Sequence, residues 1–379
     1  MQAIVTGLKP LSRLSSPREV VRQFTPNWFA ATMGTGILAI ALSLFPVKIP
    51  GLLAVAEGLW FFNMGLFTLF TVLYAARWIF FFDGARRIFG HSVVSMFFGC
   101  IPMGLATIVN GFLIFGVPRW GAVAVDIAHG LWWVDAAMSL VCGIVIPFMM
   151  FTRQIHSMEQ MTAVWLLPVV AAEVAAVSGA LLIPHLTDPH MQMVIMFASY
   201  VLWACSVPLA LSILVLLVQR LAIHKLPPSN MAASSWLALG PLGTGALGLI
   251  NLGYAAPAVF NAQGLPGYGE IARGIGLVGG VLLWGYGLWW MGLAILITAK
   301  YAKDGFPFNI GWWGYTFPIG VYAVATLRLA ALFPLHILSI FGGILVVVLA
   351  GLWLLVGTLS IRGAWRGDLF VSPCLKEGN

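Results

Sequence analysis

Charge is what this sequence has least of. Of 379 residues, 8% are Asp, Glu, Lys or Arg and 61% are apolar, with a mean hydropathy of +0.98; a soluble domain carries roughly a quarter charged residues. A water-soluble fold is excluded, and an all-α integral membrane protein remains. Acidic residues are scarcer than basic ones, 12 against 19. The basic excess does not suit nucleic acid, because these residues stand singly between apolar runs instead of clustering on one face. Cysteine is sparse too: Cys100, Cys142 and Cys205 fall inside apolar runs and Cys374 near the carboxyl end, without paired or metal-type spacing. No disulfide framework is implied. Residues 1–24 lack the apolar core of a cleavable signal, so the first span is expected to be retained. Carboxylate pairs, zinc signatures, phosphate loops and Ser-His-Asp patterns are missing as well. No cofactor or metal is expected, and a membrane-embedded enzyme or sensor is a remote alternative that would need a clustered site.

What is there is length in apolar runs. A spanning helix takes about 20 such residues, and ten candidates follow: 25–45, 52–77, 93–115, 120–151, 161–183, 192–219, 235–257, 271–299, 311–333 and 335–361. Connections alternate between longer polar ones and short ones such as Phe45–Pro50 and Phe333-Pro334, which makes the unit a helical hairpin. The chain divides into an N-terminal segment (1–24), a ten-helix membrane domain (25–361) and a C-terminal tail (362–379). In the first, Ser16-Pro-Arg-Glu19 reads as a helix start with Ser16 as cap and Glu19 bonding back to it. The short amphipathic helix that follows is expected on the membrane surface. Basic residues set the orientation. Lys9, Arg13, Arg18, Arg22, Arg77, Arg86, Arg87, Arg153, Arg220, Lys225, Lys300, Lys303, Arg362, Arg366 and Lys376 fall on one side, and Lys48, Arg119 and Arg273 on the other. Both termini are therefore expected in the cytoplasm.

Proline interrupts every odd span, at Pro26, Pro102, Pro168, Pro241 and Pro318, at intervals of 76, 66, 73 and 77 residues. Three of the five stand in Pro-X-Gly: Pro102-Met-Gly104, Pro241-Leu-Gly243 and Pro318-Ile-Gly320. Proline removes a backbone donor and bends a helix, and in a membrane the freed carbonyls are tolerated only beside protein or a water-filled path. Five hairpins with like breaks suggest a pseudo-five-fold ring around a central pore, odd helices inside and even helices outside. Gly243-Thr-Gly-Ala-Leu-Gly248 matches the dinucleotide fingerprint literally, but it lies inside a span instead of between a strand and a helix. It is read as a glycine-lined helix contact or exposed backbone.

Ionisable groups inside a membrane are functional candidates. Arg328 follows Phe317 by eleven residues, three helical turns and about 16 Å, so both point nearly the same way. Arg328 either lines the outer half of a pore, where it would attract anions, or snorkels to the headgroups. Glu173, near the middle of the fifth span, is either a proton-coupling site or a structural hydrogen bond. Asp126 and His129, at i and i+3, are read as a structural pair. Asn63, Asn110 and Asn251 are read as bridges between helices.

Five stretches carry a family likeness: Phe24-Thr-Pro-Asn-Trp-Phe-Ala-Ala-Thr-Met-Gly-Thr-Gly-Ile37, Ile101-Pro-Met-Gly104, Met161-Thr-Ala-Val-Trp-Leu-Leu-Pro-Val169, Gly240-Pro-Leu-Gly-Thr-Gly245 and Trp312-Trp-Gly-Tyr-Thr-Phe-Pro318. They fall on all five odd spans, and the chain resembles the tellurite-resistance/dicarboxylate transporter family, which includes fungal malate permeases, fungal sulfite efflux pumps and plant slow anion channels. The resemblance implies a homotrimer with a separate pore in each subunit, occluded by an inner-helix phenylalanine, a role it places on Phe317. Pro102, Gly104, Pro168, Pro241, Gly243, Thr244, Pro318 and Gly320, with Thr35 and Arg328, make up the expected anion path. Residues 161–169 and Leu369–Leu375 look most like the sulfite-efflux branch. Transport of sulfite or a C4-dicarboxylate such as malate is the implied activity, with an uncoupled chloride or nitrate channel or a tellurite-resistance exporter as alternatives.

Overall fold

The computed structural model describes residues 10–305 and 307–375. Lys9, Lys376 and the first nine residues of the N-terminal segment lie outside them. Ten long helices follow in order: α1 (26–43), α2 (Leu52–Phe80), α3 (Val94–Trp120), α4 (Ala122–Thr152), α5 (Ala163–His185), α6 (Pro189–His224), α7 (Ser229–Ala262), α8 (Pro266–Lys303), α9 (Ile310–Leu332) and α10 (His336–Arg366). By length and apolarity α2 to α10 can each cross a membrane. α1 is shorter and carries Pro26 and Asn27 in its first turn. No strand occurs among the described residues. The even helices run past the expected ends: α6 begins at Pro189 behind an Asp188 cap, α8 reaches Lys303 and α10 reaches Arg366.

Burial sorts the helices into two sets. Of the most apolar stretch of α3, α5, α7 and α9, 78–94% is buried inside the protein, against 22–39% for α2, α4, α6, α8 and α10. α1 is buried from Ala30 through Ala41. The odd helices touch in a closed cycle, α1 to α3 to α5 to α7 to α9 and back to α1, and each also packs on the even helix that follows it. Even helices thus present apolar side chains outward, as a lipid-facing layer must.

Each odd helix opens with a short 3₁₀ or broken turn before its α-helical part begins, at Ala30, Cys100, Leu167, Leu239 and Thr316. Pro102, Pro168, Pro241 and Pro318 fall within the first three α-helical residues, where the missing N–H forfeits little. Pro26 differs: it starts the 3₁₀ turn itself, four residues ahead. The glycines that follow are contact points. A Cβ on Gly104 would meet the Thr32 hydroxyl at 2.4 Å, one on Gly320 would meet Ile37 at 2.6 Å, and one on Gly243 would meet the Tyr322 backbone at 3.0 Å. Gly276 on α8 faces the Leu249 carbonyl at 2.4 Å in the same way. Small residues let the helix backbones close in.

A second repeated device ties four of the five hairpins at the proline end. Arg77, at the end of α2, donates to the Phe24 carbonyl before α1. Gln154 after α4 donates to Phe89 O at 2.9 Å, before α3. Arg220 of α6 donates to Glu159 O, before α5, through Nε at 3.1 Å and also through Nη2. Tyr301 of α8 donates to Pro227 O, before α7. The backbone ahead of an inner helix lies in a loop with its carbonyls unpaired, and the outer helix of the same hairpin supplies the donor. Arg77 is fully buried and also reaches Gly84 O, Ser372 Oγ and Cys374 Sγ, which folds the carboxyl-terminal segment under the protein. Phe370 there stacks on Trp28 at 5.1 Å.

Near the amino terminus a helix forms at Arg18–Arg22, but the expected capping box does not. Pro17 occupies the cap position, and the Glu19 carboxylate turns forward to Gln23 at 3.0 Å and Arg22 at 3.2 Å. Those hydrogen bonds hold the Glu19 carboxyl below its usual range, Gln23 contributing most.

Candidate functional site

Two cavities of about 190 Å³ each lie inside the ring of odd helices. The one at the proline end is walled by the first α-helical turns, and the other, the outer cavity, by the following three turns. The division falls after a single residue on four odd helices, Met33, Met103, Val170 and Gly240, and at Phe317-Pro318 on α9. Beyond it the wall continues with Ile37, Thr107, Val174, Thr244 and Val321, then with Ile40, Asn110, Val177, Leu247 and Val324. It ends on Leu44, Ile114, Leu181, Asn251 and Arg328. The steps of three and four residues are those of one face of an α-helix. Phe317 alone, among the described residues, forms part of both walls, and its side chain is 4% exposed. At the same level Gly240 has no side chain, and open space lies where its Cβ would be.

The eleven-residue spacing therefore does place Phe317 and Arg328 on one face. Arg328 is half-buried, makes no ion pair or side-chain hydrogen bond among the described residues, and is the sole charged group in either wall. Pro318 lines the proline-end cavity and Thr244 the outer one. The other residues expected on the path lie elsewhere. Pro102, Pro168 and Pro241 are buried off the cavity walls, and Gly104, Gly243 and Gly320 face neighbouring helices. Two residues after a proline a helix has turned about 200°, so Pro-X-Gly cannot present both ends to one lumen. Thr35 accepts a hydrogen bond from the Trp353 indole at 2.9 Å, toward α10.

Glu173 is fully buried but sits on the face of α5 turned to α6, 3.2 Å from Ser206 Oγ. Ser206 is also 2.9 Å from Val169 O. The Ser206 hydroxyl thus faces both the Glu173 carboxyl oxygen and the Val169 carbonyl as acceptors. The contact joins α5 to α6, and Glu173 is in neither cavity wall. Glu173→Gln, whose amide oxygen can accept from Ser206 in the same place, is expected to leave anion flux and its response to a pH gradient unchanged in proteoliposomes; a lost response would return proton coupling to Glu173.

Asp126 and His129 do not pair. His129 Nε2 accepts from the Trp133 indole at 3.1 Å, and Asp126 is exposed. Asn63 does bridge helices, donating to Thr107 Oγ1 at 3.1 Å. Asn110 and Asn251 instead line the outer cavity. Sequence reasoning missed Gly240, Met33, Met103 and Val170 at the constriction, although counting back in helical steps from Phe317 and Thr244 would have found Gly240.

Beyond the proline-end cavity a polar hollow of about 720 Å³ adjoins it through Val93, Val164, Asn230 and Met231. His156, Glu159, Arg220 and His224 surround it. Burial lowers the pKa of His156, which packs edge-on to Trp165.

Among known proteins, the sulfite efflux pump of Arthroderma benhamiae is 39% identical over 352 residues, 92% of this chain and 93% of the pump. An uncharacterized transporter of Methanocaldococcus jannaschii is 30% identical over 362 residues, covering 95% and 99%. The malic acid transport protein of Schizosaccharomyces pombe is 23% identical over 365 residues, covering 92% and 80%. The voltage-dependent anion channel family, SLAC1, matches residues 23–361. That match, over residues 23–361, makes this chain a member of that family of membrane anion transporters.

Proposed function

We propose that this chain exports sulfite through the interior of the helix ring, with Phe317 as the gate between the two cavities. The observation that carries the reading is that one aromatic side chain belongs to both walls, while the one charge in either wall, Arg328, is positive. A cation in a low-dielectric wall offsets part of an anion's dehydration cost and repels cations. Sulfite is favoured by the pumps that cover nearly the whole chain at 39% identity; malate is the second candidate. The positive-inside rule places both termini and the proline-end cavity in the cytoplasm. In a plasma membrane that is negative inside, the potential drives an anion outward by about 2.3 kcal/mol per charge per 100 mV. Export then needs no coupling ion, in keeping with cavity walls that carry no carboxylate among the described residues. A gated channel for chloride or nitrate shares this geometry and would differ by conductance. Three copies, each with its own path, form the assembly in this reading.

Purified protein in proteoliposomes should release sulfite faster when the interior is made negative. Arg328→Gln should cut that flux roughly tenfold at limiting sulfite, while Arg328→Lys keeps most of it. Potential-independent release, or a glutamine variant as fast as wild type, would remove the basis of the proposal.

A further inference from the structure

Two buried amides in the outer cavity have no partner. Asn110 is 6% exposed and Asn251 is 8% exposed, both form the wall, and neither side chain makes a hydrogen bond among the described residues. Elsewhere in the helix ring Asn63 Nδ2 reaches Thr107 while its Oδ1 has no partner, and the indoles of Trp132 and Trp203 reach the carbonyls of Ala175 and Gly245; Asn110 and Asn251 differ from Asn63 in lining a cavity and in making no side-chain hydrogen bond at all among the described residues. A buried polar group left unpaired costs stability, and one aimed into a cavity marks a place for a ligand. Arg328 lines the same wall without an ion pair or side-chain hydrogen bond among the described residues; counted in helical register from the constriction, it stands one step beyond Asn110 and level with Asn251. The hydroxyl protons of Thr107 and Thr244 are already given to Gly104 O at 2.7 Å and Gly240 O at 2.6 Å, so these oxygens can only accept.

The outer cavity therefore offers one cation, amide N–H donors, and a surplus of acceptors in the amide and hydroxyl oxygens. We infer that it binds an oxyanion that still carries one proton. The charged oxygens take hydrogen bonds from Arg328 and the amide NH₂ groups, and the ligand O–H donates to the oxygen of Asn110 or Asn251. Each amide holds both a donor and an acceptor, so the argument stands whichever way either is turned. A halide would leave the acceptors unmet. A doubly charged oxyanion would do the same and bring a second charge against a single arginine. The site deepens the anion-transport reading and rests on it for the choice of probe: hydrogen sulfite is such an ion.

The test is calorimetric titration of detergent-purified protein with sodium sulfite on the acidic and alkaline sides of its second ionisation, with sodium chloride as the halide control. Wild type, Asn110→Leu, Asn251→Leu and the isosteric Asn251→Asp are compared after each elutes as a single species. Wild type should bind more tightly on the acidic side. Each leucine variant should lose roughly tenfold in sulfite affinity, as for a hydrogen bond to a charged group, with chloride affinity retained. Asn251→Asp, which keeps the shape and adds a negative charge, should lose sulfite binding on both sides. Tighter binding on the alkaline side, unchanged leucine variants, or equal losses for sulfite and chloride would overturn the site. Parallel flux measurements separate the two ideas: sulfite bound but never transported contradicts the function and leaves the site standing, while flux without any binding that depends on Asn110 and Asn251 does the reverse.

Discussion

Phe317→Ala should raise sulfite release from proteoliposomes by roughly tenfold or more, the effect of lowering the barrier by about 1.4 kcal/mol. The phenyl ring is the one side chain among the described residues shared by both cavity walls, and removing it is expected to join them. Selectivity should fall at the same time, because the narrow apolar level is where an anion sheds most water. Gly240, at the same level on the adjacent α7 with open space at its Cβ position, offers a check on place. Gly240→Leu added to Phe317→Ala should bring the flux back down, since a side chain from the neighbouring helix α7 refills the gap. If Phe317→Ala leaves flux and selectivity unchanged, the constriction lies elsewhere.

Arg77→Met should lower the thermal midpoint of the purified protein by roughly 5 °C, and it should expose the carboxyl-terminal segment to protease. The guanidinium is fully buried and serves the Phe24 and Gly84 carbonyls, Ser372 and Cys374. Methionine refills the volume but leaves those acceptors unpaired, at about 1–3 kcal/mol each, and a few kcal/mol in a chain of this size corresponds to a shift of that order. Cleavage within Leu369–Leu375 is the specific sign, because Ser372 is held by Arg77 and by Gln23, whose Oε1 accepts from Ser372 N at 2.8 Å. A midpoint within about 2 °C of wild type, with the tail still protected, would reduce Arg77 to one surface-like contact among many.

How much of this was legible in the sequence depends on the kind of signal. Apolar runs mark the helices because a lipid environment imposes length and composition on each one separately. Phe317 and Arg328 could be placed on one face because helical spacing alone fixes direction within a continuous helix. The prolines correctly mark where inner helices begin, but not what they face: Pro26 starts a 3₁₀ turn, and Gly104 and Gly320 turn toward neighbours. Which face meets the lumen is decided by packing between helices, which the spacing along one helix does not contain. Glu173 shows the same limit, since its partner Ser206 is on another helix. The hairpin ties were invisible for a different reason. Arg77, Gln154, Arg220 and Tyr301 do one job with three side-chain types, so no residue pattern repeats. Asn110 and Asn251 look like Asn63 in sequence, and only the cavity tells them apart.

The most direct test of the path is chemical access along α9. In a background with the four native cysteines replaced, single cysteines at Val324, on the outer cavity wall, and at Ala325, buried against neighbouring helices, are treated with a small sulfonated maleimide, washed, and assayed for sulfite flux. Modification of Val324→Cys should block flux and be slowed by sulfite present during labelling, whereas Ala325→Cys should remain unmodified and active. Block at Ala325→Cys with Val324→Cys unaffected, or no block at either position despite labelling, would mean that anions do not travel between these two cavities.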